Sequence, residues 1–281
     1  MQNISKKILI LGSKGMLGKK ILEKFSNDLV ISISRDDLNL ENYEACLKYI
    51  TNVAPDIIIN CAAYTDVELS EKMPHLAFAG NFKIPSNIAR ACSLINIPLI
   101  HFSTDYVYGK NSHPISENSI REPLNIYGYS KLLGEQVIQQ TLEKYLIFRV
   151  SWLYDLVGKN FYTFVINKLK NQEPLSIVDD QVGVPTSCEL VASSMIRVIE
   201  KISHTNFADW GDYQLCPNGF CTWLEFAEEI AIKRGFNLDN ISNISSKELK
   251  LTAKRPKYSV LDNKLFQKTF RLKIEDWKHY V

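Results

Sequence analysis

Two rhythms of apolar and polar positions share the first half of the chain. Short runs of apolar, largely β-branched residues lie at Ile8–Leu11, Leu29–Ile33, Asp56–Asn60, Pro98–Phe102 and Tyr145–Val150. Runs of this length with little alternation suit strands covered on both faces. Between them, at about Met16–Phe25, Tyr43–Asn52, Leu76–Leu94 and Asn125–Glu143, apolar residues recur with helical spacing. Strands alternating with helices in this way predict an α/β fold: a doubly wound parallel sheet of the Rossmann type. The second half is less regular. Its pattern predicts helices over 161–170, 188–201 and 223–233, with strands near 175–178 and 213–216. The amphipathic helix at 188–201 is suited to pack back onto the first domain. Residues 1–152, rejoined by that helix, are therefore expected to form a dinucleotide-binding domain. Residues 153–281 are expected to form a smaller, partly interleaved C-terminal domain that mainly binds substrate.

Composition narrows the partners. The 281 residues are 46% hydrophobic, enough for a sizeable core and too apolar for a disordered chain. Thirty-three basic and 31 acidic side chains leave a formal charge of +2, with no dense Lys/Arg block to bind nucleic acid or an anionic membrane. The run Ile8–Leu11 stops at Gly12, which marks a strand rather than a signal peptide, and no apolar stretch reaches the roughly 20 residues that span a bilayer. A cytoplasmic location and a small-molecule partner are expected. The six cysteines show no paired Cys-x-x-Cys spacing and mostly sit in apolar runs, so reduced, buried thiols and no metal site are expected.

Gly12-Ser13-Lys14-Gly15-Met16-Leu17-Gly18 follows the first strand and opens the first helix. Gly12 permits the tight turn, Gly15 lets backbone approach a pyrophosphate, and Gly18 lets the helix pack closely, while the helix N-terminus attracts the anion. After the second strand, Arg35 suits a ribose 2′-phosphate and Asp36 or Asp37 a 2′-hydroxyl. Arg35 lies nearest the expected strand end and points to NADPH, with NADH as the alternative. Asn39 and Leu40 would then lie beside the adenine. Tyr127 and Lys131, four residues apart on a predicted helix, place a phenol beside an ammonium. A neighbouring cation is expected to lower the phenol's pKa and so equip it for proton transfer. Tyr129 is two residues from Lys131, on a diverging face, so Tyr127 is preferred.

Five further segments complete a recognisable set: Asn60-Cys61-Ala62-Ala63-Tyr64-Thr65, Ser103-Thr104-Asp105-Tyr106-Val107-Tyr108-Gly109, Pro123 to Lys131, Phe148-Arg149-Val150-Ser151-Trp152, and Asp179 to Thr186. With these, the chain resembles the dTDP-4-dehydrorhamnose reductases of the extended short-chain dehydrogenase/reductase superfamily, from the first strand to about Asp262. The resemblance implies hydride reduction of a 4-keto group on a dTDP-linked deoxysugar, with Thr104, Tyr127 and Lys131 as the catalytic triad. Thr104, at the mouth of the fourth strand, can hydrogen-bond the ketone oxygen as charge develops there. By the same resemblance Ala62, Ala63, Tyr64 and Asn81 fall along the cofactor. Asp105, Tyr106, Trp152 and Gln181 fall beside the substrate, and Arg255, before Pro256, could pair with its phosphates.

The pattern departs from the family at Asp66-Val67-Glu68-Leu69-Ser70-Glu71, where relatives commonly carry Ala-Val-Asp-Lys-Ala-Glu. That segment borders the cleft, so a reductase of another dTDP- or UDP-linked keto sugar stands as one alternative. A non-catalytic regulatory subunit of the same fold is another, opposed by the intact triad. Lys19-Lys20 stands where some relatives carry a magnesium-associated glutamate, leaving Glu189 alone of that set, and the chain ends at Val281 soon after Trp277. A magnesium-bridged dimer of that kind is therefore not expected, and the oligomeric state, homodimer or otherwise, is left open.

Overall fold

The structure is a computed structural model that describes residues 6–25, 29–204 and 206–281. Its centre is a six-stranded parallel sheet built from β1 (Ile8–Leu11), β2 (Val30–Ile33), β3 (Ile57–Asn60), β4 (Leu99–Thr104), β5 (Tyr145–Val150) and a strand from the second half, Gly211–Gln214. Its order is β2-β1-β3-β4-β5 with Gly211–Gln214 at the far edge. The chain leaves β1 first for one neighbour, β2, and then for the other, β3. A crevice opens beyond the carboxyl ends of strands where the winding reverses in this manner, and ligands of such sheets bind there.

The unbroken apolar runs exist because helices cover both faces. One core layer takes Ile8, Ile10, Ile57, Ile59, Ile100 and Phe148 against α1 (Met16–Lys24) and the later helix Cys188–Ile202. The other takes Leu9, Leu11, Ile58, Leu99 and Ile147 against α2 (Tyr43–Val53) and the helices that follow β3. Each fully buried side chain of this size contributes about 1.5–3 kcal/mol.

A short helix not predicted, α3 (Val67–Lys72), precedes the span predicted as one helix over 76–94, which divides into α4 (Pro74–Phe78), a π-helical turn (Ala79–Lys83) and α5 (Ile84–Ile95). The π turn turns Asn81 inward, where its amide holds the Tyr64 backbone at both N–H and carbonyl, each at 2.9 Å. Next comes α6 (Ile126–Thr141), which starts at Asn125 because that side chain accepts the Gly128 N–H at 2.8 Å.

The second half adds β6 (Leu153–Tyr154), α7 (Phe161–Lys170), β7 (Leu175–Val178), β8 (Val182–Gly183), β9 (Thr186–Ser187), α8 (Cys188–Ile202), β10 (Gly211–Gln214), β11 (Cys221–Thr222), α9 (Trp223–Lys233), β12 (Ile241–Ile244), β13 (Tyr258–Ser259) and α10 (Lys264–Phe270). Of these, α8 packs on α1 and β10 pairs with β5, starting two residues before the predicted strand. A separate aromatic core, including Tyr154, Tyr162, Phe226 and Trp277, joins α7 and α9 to the β7–β12 pair. All six cysteines are free, and five of them are buried. No helix among the described residues is long and apolar enough to cross a membrane.

Candidate active site

β4 ends at Thr104, on the side of the sheet where the crevice opens, and α6 lies alongside. Tyr127 and Lys131 occupy consecutive turns of α6, so one helix face carries both. The Thr104 hydroxyl donates to Asp105 Oδ1 at 3.1 Å and accepts the Tyr106 N–H at 3.2 Å. It also lies beside the Tyr127 phenol. The Tyr106 ring meets the Tyr127 ring edge to face, with centroids 5.6 Å apart. Lys131 is only 2% exposed, and its Nζ donates to the Phe102 carbonyl at 2.6 Å.

The electrostatics correct one expectation. Lys131 was expected to lower the Tyr127 pKa, but its amine bonds the β4 backbone, and within the chain burial dominates. Burial pushes the phenol up, opposed by the Thr104 hydroxyl beside it and reinforced by Asp105 and Tyr106. Burial also pushes the Lys131 ammonium down to about 8, against Glu135 and Cys61, which favour its charge. Asp105, likewise buried, is pushed up to about 6 despite hydrogen bonds from Ser259 and Thr104. The charge behind Lys131 is anchored by a fully buried ion pair. Arg149 on β5 grips Glu135, one turn beyond Lys131, with Nε and Nη2 at 2.9 and 2.7 Å, and also reaches Tyr108 and Asp212.

The crevice itself is narrow at Gly12, whose φ of +77° suits glycine and whose Cβ, were there one, would lie 2.6 Å from the Ala62 N. Helix α1 starts at Gly15 with no side-chain cap, which leaves its first N–H groups for an anion. Met16 is half-buried and Leu17 and Gly18 are buried behind this turn. Arg35 is exposed just past β2, and Asp36 beside it pairs with Lys14 of the glycine turn at 2.7 Å. Asn39 is exposed and Leu40 buried in the core beneath. Ala62 forms the opposite wall after β3, with Ala63 and Tyr64 next along the chain. Asn81 stands behind that wall rather than in the crevice: it is fully buried, and its amide is taken up by Tyr64 and Ser130.

On the substrate side, Trp152 has a left-handed backbone, φ 45°, a conformation that costs a non-glycine residue about 1 kcal/mol or more. Two contacts hold it there. Its indole stacks on Trp223 at 3.7 Å, and a Cβ at Gly183 would come within 2.4 Å of its ring. Gln181 is buried nearby in sequence, next to β8. Arg255 lies beside Tyr106 and 3.6 Å from Glu68 of α3. The segment in which this chain departs from its relatives thus touches the arginine expected to meet phosphate. Sequence patterns carry no signal for Trp223, because it acts through a partner distant along the chain; Glu68 was marked only as part of the segment that departs from relatives. Glu135 could have been found, since 127, 131 and 135 share one helix face.

Residues 6–281 match the family model described as the RmlD substrate binding domain. The dTDP-4-dehydrorhamnose reductase of Escherichia coli strain K12 is 33% identical, with 96% of this chain and 94% of that protein aligned. Among solved structures, a dTDP-4-dehydrorhamnose reductase from Bacillus anthracis in complex with NADP superposes with a TM-score of 0.89 at 31% identity, covering 98% of this chain and 96% of the other. A Clostridium acetobutylicum dTDP-4-dehydrorhamnose reductase gives a TM-score of 0.90 at 34% identity, covering 97% and 95%. The fold, the crevice beside β1 and β3, and near full-length similarity all lead to one conclusion: the chain belongs to the dTDP-4-dehydrorhamnose reductase family.

Proposed function

We propose that this protein reduces the 4-keto group of a dTDP-linked deoxysugar with NADPH, converting dTDP-4-dehydro-L-rhamnose to dTDP-L-rhamnose. The observation that supports the reading is that Thr104 ends β4 beside the glycine crevice while Tyr127 and Lys131 lie on consecutive turns of the adjacent α6.

The crevice fits the cofactor. Gly12 leaves room where a Cβ would collide with Ala62, and the uncapped α1 terminus offers N–H groups to a pyrophosphate. Gly12, Gly15 and the first N–H groups of α1, from Met16 and Leu17, would hold the phosphates while Gly18 lets the helix pack closely on the turn; Arg35 would take the ribose phosphate and Asn39, above buried Leu40, the adenine. Ala62, Ala63 and Tyr64 would form the far wall, kept in place by Asn81. We assign this role to residues 1–152 together with α8 and β10, and the substrate role mainly to the remainder. Bound there, NADPH supplies hydride to the carbonyl carbon.

The chain supplies the rest. A ketone reduction needs a proton on oxygen, and a phenol whose pKa burial has raised is protonated at neutral pH, the state a donor requires. Thr104 hydrogen-bonds the same oxygen as negative charge develops. Lys131 holds ribose hydroxyls and steadies the phenolate left on Tyr127. Asp105, Tyr106, Trp152 and Gln181 would orient the sugar, and Arg255 would take its phosphates in exchange for Glu68.

The test is consumption of NADPH by the purified protein with dTDP-4-dehydro-L-rhamnose. Tyr127→Phe should lower kcat by about 10²–10⁴-fold while leaving NADPH affinity intact. Turnover of another keto sugar with none of this one would overturn the substrate, and an undiminished Tyr127→Phe rate would overturn the mechanism.

A further inference from the structure

We propose that His101 is a positioning residue for Lys131, held by Asn60 in the tautomer whose Nε2–H faces the lysine amine. The proposal rests on the reductase reading for its consequence in catalysis, while its geometry stands independently.

His101 lies within β4 with no exposed surface, between Asn60 at the end of β3 and Lys131 on α6. Asn60 Oδ1 accepts the Ala62 N–H at 3.0 Å, so its amide nitrogen is the atom that faces the imidazole. That nitrogen lies 3.0 Å from His101 Nδ1 and donates to it. The imidazole is uncharged, because burial, reinforced by Lys131, holds its pKa well below the ordinary range. A neutral imidazole has one N–H, and with Nδ1 accepting, that hydrogen sits on Nε2. Nε2 is 3.5 Å from Lys131 Nζ.

Two donors cannot bond to each other. An ammonium at Lys131 directs a hydrogen against the Nε2–H, whereas an uncharged amine offers it a lone pair. His101 therefore favours the amine and closes one direction around Nζ. The Phe102 carbonyl takes another at 2.6 Å, which leaves one hydrogen of the uncharged amine, or two of the ammonium, for other partners. The other ionisable groups around the amine act differently. Glu135 on α6 favours the ammonium, but Arg149 on β5 shares that charge; Cys61, after β3, has a thiol that burial pushes up and keeps neutral. Burial brings Lys131 to about 8, so its titration falls where such a bias changes the charge during turnover.

The test uses the intact protein labelled with ¹⁵N at histidine and lysine. In the wild type, His101 should show a neutral Nε2–H ring from about pH 6 to 9. Asn60→Ala frees the ring to move its proton to Nδ1, which gives the ammonium an acceptor at Nε2. The Lys131 pKa and the alkaline limb of the kcat profile should both then rise by about one pH unit, a tenfold change in the protonation constant. Asn60→Asp, which keeps an acceptor for the Ala62 N–H, should shift both further. A wild-type Nδ1–H tautomer, or a Lys131 titration unmoved in both variants, would overturn the proposal. The NMR readout needs no substrate: the expected tautomer and shift in a protein that reduces no keto sugar would refute the reductase reading alone.

Discussion

Lys131→Met isolates the cost of a buried charge. Lys131 is 2% exposed, and burial brings its pKa from 10.5 to about 8. At roughly 1.4 kcal/mol per pH unit of displacement, the native state carries a penalty of about 3 kcal/mol at pH values well below 8. The sign follows from proton counts. Between about pH 8 and 10.5 the unfolded lysine holds a proton that the folded one has lost, so stability attributable to this group rises with pH across that window. From about pH 7 to 9.5, about 2 kcal/mol of the penalty is removed. Buried thiols and phenols oppose the trend, because the folded protein keeps protons that the unfolded chain releases. Those groups are common to both proteins, and Cys61, whose thiol Lys131 favours in its charged form, stays protonated across this range in either, so they cancel in the difference. Lys131→Met also leaves the Phe102 carbonyl without its side-chain partner, a cost of about 1–3 kcal/mol that does not vary with pH. Urea unfolding across this range should therefore show wild type gaining about 2 kcal/mol on the variant. Parallel stability curves would refute the claim that Lys131 is a depressed, buried amine.

Gly12→Ala should abolish NADPH binding in a calorimetric titration while the protein stays folded, since the added methyl meets the Ala62 backbone on the crevice side and strains a left-handed φ. Arg149→Met leaves Glu135 fully buried with Arg121 as its remaining ionic partner at 3.2 Å; urea unfolding should show a loss of about 3–5 kcal/mol.

Much of the fold was legible because the sheet is covered on both faces. Helix packing on each side makes strands such as Ile57–Asn60 apolar at successive positions, and such runs are conspicuous against polar turns. The two-residue strands β6, β8, β9, β11 and β13 have no room for a period and were not foreseen. The break at Ala79–Lys83 was hidden for a different reason: a π turn preserves apolar spacing on either side while rotating one residue, Asn81, inward. The proposed triad could be picked out because two of its members share a helix face and the third ends a strand. Trp152 also stood out, but the partner that holds its strained backbone, Trp223, lies in another element, and stacking has no spacing to read.

The same distinction explains why the phenol's pKa was misjudged. Four-residue spacing establishes that Tyr127 and Lys131 are neighbours; it does not establish where the amine points. The β4 carbonyl of Phe102 captures Nζ, and burial then sets the ionisation of both groups. For a reductase the result leaves the phenol protonated but a weaker acid than an ordinary tyrosine, so donation depends on what stabilises the phenolate. The acid must be protonated before hydride arrives, and a phenol raised by burial meets that condition throughout the neutral range. The cation is needed only afterwards, when a phenolate remains, and a lysine near 8 is still largely charged at neutral pH. Glu135, held by Arg149, keeps that charge from being lost to burial altogether. In the proposed mechanism the phenol, the amine and the carboxylate form a ladder along one face of α6, whose last rung is anchored in the sheet.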